Sequence, residues 1–139
     1  MQKNQAIIDD GIEYVDYINE SMIGDIQALV SKDLSEPYSI FTYRYFLHKW
    51  PNLCTCVYAN DVDSSENKRV MIGVIVCKAE DEGEGLHGYI AMLAVNSAYR
   101  KKKIGFKVSS FCDDYTIYTS KSLYCLTSVY CYYPYSWHL

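Results

Sequence analysis

The sequence predicts an α/β (α+β) fold with its elements in the order strand, helix, helix, strand, strand, strand, helix. Two observations carry this expectation. Two apolar stripes with helical spacing stand together between Ser21 and Trp50, and three strand-like runs follow in close succession between Leu53 and Val95.

Gly11 to Ile18 (GIEYVDYI) has the β-branched and aromatic content of a first strand. From Ser21 to Leu34 the period changes: Met22, Ile26, Leu29 and Val30 fall on one helical face, with Ser21 or Asn19 available as the cap. Ser35-Glu36-Pro37 breaks that helix, because Pro37 disfavours an α conformation at Glu36. Ile40, Tyr43, Leu47 and Trp50 then share one face of a second helix, which Pro51 stops. Leu53 to Ala59 and Val70 to Ala79 read as two strands of a hairpin around the polar loop Asn60 to Arg69. His87 to Val95 is another strand, Asn96 to Lys103 a polar connection, and Ile104 the start of a further helix. The tail differs. Seven of the fifteen tyrosines lie in it, and it keeps neither helical nor alternating period, so it reads either as tyrosine-rich edge strands or as out-of-frame or intron-derived sequence.

Half of the 139 residues are apolar or aromatic, enough for one domain with a sizeable core. No run is long and apolar enough for a membrane span, and Met1 to Asp10 lacks the apolar stretch of a secretory signal, so a soluble cytoplasmic protein is expected. The six cysteines form no CxxC pair and only His48, His87 and His138 are on hand to complete a zinc set, so no metal is expected. His48 reads as structural and His87 as a solvated loop-end residue. The net charge of −4 argues against general nucleic-acid binding, which shows as a basic excess over a whole domain.

The cations that matter are local. Arg100, Lys101, Lys102, Lys103 and Lys107 stand within eight residues, after a strand and before a helix start. Free backbone N–H groups and the positive end of a helix macrodipole at such a place bind a pyrophosphate, and Gly105 lets the backbone approach it. Arg100 and the lysines add charge for terminal phosphates. A basic run before a glycine also suits a solvated face or a localisation patch.

The stretch GYIAMLAVNSAYRKKKIG, Gly88 to Gly105, resembles the acetyl-CoA motif of GNAT acetyltransferases, whose phosphate loop reads R/Q-x-x-G-x-G/A. Arg100 and Gly105 match its ends, whereas Lys103 stands at the inner glycine, where it serves only if a positive φ is not required. Ser31 to Cys54 and Gly73 to Lys78 (GVIVCK) are similar to the catalytic subunit of NatC-type N-terminal acetyltransferases, so the resemblance spans residues 11–105. It implies a GNAT fold, a mixed, mostly antiparallel sheet flanked by helices, and transfer of acetyl from acetyl-CoA to the α-amino group of a nascent protein's N-terminal methionine, followed by a bulky apolar residue. Its implied partners are two auxiliary subunits and, through them, the ribosome.

By the same resemblance, Leu93, Ala94 and Val95 pair their backbone with the pantetheine arm, and residues Arg100, Lys101, Lys102, Lys103, Ile104 and Gly105 hold the phosphates. Leu34, Pro37 and Tyr38 wall the methionine pocket, Glu36 attracts the ammonium, and Tyr89 holds a water that relays the amine's proton. The family continues with a helix, a strand bearing an acidic motif and a Leu-Tyr-Glu-x-x-Gly-Phe segment, none recognisable after Gly105. The C-terminal part of the fold is therefore expected to be incomplete over 106–139, with β-edge exposure and doubtful turnover. The alternative is a non-catalytic isoform that binds the auxiliary subunits.

Overall fold

Asp10-Gly11 is a two-residue turn with both φ angles positive, 50° and 74°, the geometry that folds a tight hairpin. It joins β1 (Ile7–Asp9) to β2 (Ile12–Asp16) in antiparallel register, so the first strand expected from the sequence has an additional partner before it. The computed structural model describes residues 6–32, 37–61, 65–66, 68–81, 83 and 86–110, with the backbone alone at 86 and 87. β3 (Cys54–Asn60), β4 (Arg69–Asp81) and β5 (Leu86–Val95) complete a five-stranded sheet in the order β1-β2-β3-β4-β5, antiparallel throughout its described pairs. The tail beyond residue 110, and with it the expected incompleteness of the C-terminal part, lies outside the described residues.

Asn19 accepts a hydrogen bond from Ser21 N and opens a 3-10 turn, Glu20–Met22, that leads into α1 (Ile23–Ser31). α2 (Ile40–Lys49) ends where Trp50 N donates to Phe46 O, just before Pro51. Glu20 ties the two helices together, accepting from Arg44 Nε at 2.9 Å with His48 Nε2 at 3.2 Å. The stripe read from the sequence faces the sheet: Ile26, Tyr43 and Leu47 are fully buried against Cys54, Cys56, Val74 and Val76. Trp50, expected on the same face, packs in the opposite cluster instead and donates Nε1–H to Ala79 O. It sits past the helix end in a non-helical conformation, which turns it away from the stripe.

The helix over 104–110 covers the other face, where Ile104 and Val108 pack with Val57, Ile72, Ile75 and Val95. It crosses the boundary drawn at 105/106. Two bulges set these faces. Val57 pairs with Gly73 but Tyr58 with Met71, leaving Ile72 extra in β4, and Val76 pairs with Met92 but Cys77 with Ile90, leaving Ala91 extra in β5.

Burial raises the pKa of Tyr14, Tyr17, Tyr43 and Tyr58, the last up to about 12. A phenol whose folded pKa lies above its unfolded value stabilises the fold fully below about pH 10, and that stability is lost as pH climbs toward the folded value. Burial also raises the Cys56 thiol above its ordinary value, so thermal melts are expected to begin falling above about pH 8.5 and to fall more steeply above about pH 10, with Tyr58→Phe making the steeper part shallower.

Candidate functional site

The site expected from the sequence is built where β5 ends. Asn96 N donates to Ile72 O at 2.7 Å, so the preceding carbonyl, Val95 O, points to the opposite, outer edge of β5. Two-residue alternation gives Leu93 the same outward orientation and turns Ala94 toward its ladder partner Val74. Of the three backbones expected to meet a pantetheine arm, Leu93 and Val95 thus face the edge, and Ala94 does not. Arg100 Nε donates to Val95 O at 3.0 Å, so this arginine fastens the strand end to the loop in addition to any phosphate it meets.

The connection is shaped by its own side chains. Asn96 accepts from Ala98 N and starts the short turn Ser97–Tyr99. Arg100 is extended, Lys101 and Lys103 have φ of 64° and 61°, and Lys107 N donates to Lys103 O to begin the helix. The sequence reading required Lys103 to avoid a positive φ; the structure gives it one, because the chain must reverse there to enter the helix. A left-handed conformation at a residue with a Cβ costs roughly 1–2 kcal/mol. Lys103→Gly is accordingly expected to raise stability by about 1 kcal/mol in denaturant melts, with Lys101→Gly similar.

The lysine side chains divide. Lys101, Lys102 and Lys103 are exposed beside the loop, and Lys102 Nζ stands 5.2 Å from the Tyr99 ring centre. Lys107 is drawn away to Asp9 and the face of Tyr14, so it braces the helix against the β1–β2 hairpin. Between that hairpin and the helix is an open cleft of about 850 Å³, lined among others by Asn60, Tyr99, Lys103 and Phe106. Ile104 and Gly105 are buried. Ile104 lies over Gly73, where an added Cβ would stand 3.5 Å from Ile104 Cγ2 and 3.3 Å from Val57 Cβ. The missing side chain at 73 is what lets the helix, and so the loop, lie close on the sheet.

The acceptor-side residues are partly in view. Leu34 and Glu36 lie outside the described residues. Pro37 and Tyr38 are exposed at the approach to α2, Tyr38 standing edge-on to Tyr43 with ring centres 6.2 Å apart. Tyr89 is more than half exposed on β5, and the bulge at Ala91 puts it on the α1/α2 face, opposite Lys78. Lys78 Nζ is 5.6 Å from the Tyr89 ring centre and donates to Glu80 Oε2 at 2.7 Å. The sequence reading gave Lys78 and Glu80 no role in the site; the structure runs β4 on to Asp81, so both stand in the strand as a charged pair closing an apolar run. Among the described residues, no group of three His, Cys, Asp or Glu side chains could hold a metal ion, and no helix is long and apolar enough to cross a membrane.

A bulged last strand of the described sheet, a tight cationic loop and a helix seated on a glycine lie within residues 23–116, which the Acetyltransferase (GNAT) family matches, so the chain belongs to that family. Within it, the chain is similar to proteins called N-alpha-acetyltransferase 30. It is 48% identical to that of Xenopus laevis over 103 residues, 73% of this chain and 35% of the relative. It is 44% identical to that of Saccharomyces cerevisiae over 95 residues, 68% of this chain and 52% of the relative. The chain thus spans between a third and about half of these relatives. Among solved structures, a NatC complex bound to Gag peptide and CoA aligns at a TM-score of 0.68 and 39% identity, over 77% of this chain and 67% of that one. Arabidopsis thaliana Naa50 with a bisubstrate analogue, at 19% identity and a TM-score of 0.63 over 78% and 66% of the two chains, shares the fold.

Proposed function

We propose that this chain carries the acetyl-CoA seat and one wall of the acceptor cleft of a NatC-type N-terminal acetyltransferase, acting on N-terminal methionine followed by a bulky apolar residue. The observation that carries it is the junction of β5, the 100–103 loop and the helix locked over Gly73. Similarity to N-alpha-acetyltransferase 30 supports the acceptor class.

In this reading the Leu93 backbone, at the edge of β5 that no other described strand pairs with, extends the sheet onto the pantetheine amides, and Val95 N–H faces the same edge. Backbone N–H groups around Lys103, Ile104 and Gly105 take the pyrophosphate, with Lys101 and Lys102 for outer phosphates and Arg100 holding the loop in place. The neutral α-amine attacks the thioester carbonyl. A C–N bond forms, the C–S bond breaks, the amine's proton leaves through a water held by Tyr89, and the CoA thiolate is protonated. Pro37 and Tyr38, with Leu34 and Glu36, form the methionine pocket. The partners are nascent chains and two auxiliary subunits at the ribosome, in the cytoplasm.

The test is acetyl transfer from labelled acetyl-CoA to a peptide panel, with the chain alone and reconstituted with auxiliary subunits. Labelling of Met-Leu termini in preference to lysine side chains is expected. Preference for lysine side chains, or no transfer in either preparation, would overturn the reading. A second reading, a non-catalytic chain that binds the auxiliary subunits, is favoured by the exposed apolar side chains of Ile18, Phe41 and Tyr45. Co-purification without transfer would select it.

A further inference from the structure

We propose that the Lys78 ammonium, fixed by Glu80 and facing Tyr89 across the β4–β5 ladder, is a positioning residue that makes the acceptor cleft take its α-amino group without the ammonium proton. The inference rests on the function proposed above and names a group that function does not use.

Lys78 stands at the point where β4 changes character. Met71 to Cys77 are buried, and Lys78 is the first charged side chain after them, only about a quarter exposed. Its ladder partner is Tyr89, whose ring face it meets. A hydrogen bond from Lys78 holds the Glu80 carboxyl below its usual range, so the acid stays ionised and the pair is fixed near neutral pH. Glu80 is also approached by Lys49 Nζ of α2 at 3.9 Å, and Lys49 lies over the rings of Tyr45 and Trp50. In the ladder Glu80 pairs with position 87, a histidine. Lys78 makes a contact beyond those with Glu80 and Tyr89, and Asp81, which accepts from Gly83 N, is the next acid along β4.

Direction matters more than net charge. Lys78 and Glu80 are two residues apart on one face, about 7 Å along the strand. The carboxylate lies toward the outer end of the hairpin and the ammonium toward the bulge at Ala91 and the Leu93 edge. An α-ammonium that passes the rim meets attraction first and then the positive end of the pair. A cation beside an amine favours the uncharged, nucleophilic form, and the same field favours negative charge developing on the thioester oxygen. A surface ion pair alone contributes little to stability, so a purely structural role would leave the pH dependence of binding untouched.

The experiment measures the Kd of a Met-Leu peptide by calorimetry from pH 6 to pH 8, with coenzyme A present so that no transfer occurs. Wild-type chain, Lys78→Met, Lys78→Gln and Lys78→Arg are compared, with melting temperatures to establish that each is folded. Because a free α-amine titrates near pH 8, a cleft that takes only the neutral form tightens about tenfold per pH unit below pH 7.5. That slope is expected for wild type and Lys78→Arg, flattening to less than about threefold in the two uncharged variants. A wild-type slope in a folded uncharged variant, or a flat wild-type profile, would overturn the inference while leaving the acceptor reading intact. No peptide binding by wild type at any pH would remove the acceptor reading, and this inference with it.

Discussion

Gly73→Val is expected to unseat the helix over 104–110 and abolish the thermal stabilisation that acetyl-CoA gives the chain. A Cβ at 73 would stand 3.3 Å from both Cβ and Cγ2 of Val57 and 3.5 Å from Ile104 Cγ2. Val57 is fully buried in the central strand β3 and has nowhere to retreat, so the two extra methyl groups of valine must displace Ile104. Overpacking of this kind costs about 1–3 kcal/mol, and it moves the loop that follows β5. Gly73→Ala requires only a few tenths of an ångström from its neighbours and is expected to keep most of the cofactor response. Paired melts with and without acetyl-CoA check both.

The largest loss of stability is expected from Leu47→Ala. Leu47 is fully buried on α2 within the cluster that joins both helices to β3 and β4. Its truncation removes apolar burial and leaves a cavity, together about 2–5 kcal/mol. For a domain of this size that lowers the melting temperature by roughly ten degrees or more. Phe41, on the same helix but about three-quarters exposed, is the contrast: Phe41→Ala is expected to stay within about 0.5 kcal/mol of wild type. Urea melts of the two variants separate the buried stripe from the solvent face.

Much of this architecture was legible because it depends on period. The spacing of Ile26, Leu29, Val30, Tyr43 and Leu47 fixes two helix faces, and the short length and β-branched content of the run from Val70 to Ala79 mark it as a buried strand. The corner proposed for the cofactor was picked out by the glycine, the cations and their place after a strand, and the structure brings these residues together at the end of β5. What escaped the sequence depends on three-dimensional neighbours. The Asp10-Gly11 hairpin carried a local signal, but its three-residue first strand was too short for alternation to show. The bulges at Ile72 and Ala91 arise from cross-strand packing, and the second of them decides which face Tyr89 occupies. The left-handed backbone at Lys101 and Lys103 runs against residue preference and is imposed by the turn into the helix. Arg100 was assigned to phosphate from its chemistry and from its match to the first position of the motif. Its bond to Val95 O follows from the fold of the loop back onto the strand end.

The central claim is that the corner formed by β5, the 100–103 loop and the helix seated on Gly73 holds acetyl-CoA. The most direct measurement is the melting temperature of the chain across an acetyl-CoA titration, alongside a variant with Lys101 and Lys102 both changed to alanine. Both lysines are exposed, so their loss leaves the fold's packing unaltered. At a ligand concentration one hundred times Kd, binding to the folded state alone adds about 2.7 kcal/mol, a rise of several degrees, and the double variant is expected to need markedly more ligand for the same rise. A cooperative melt that does not move at saturating acetyl-CoA, or one that moves equally in both proteins, would contradict it.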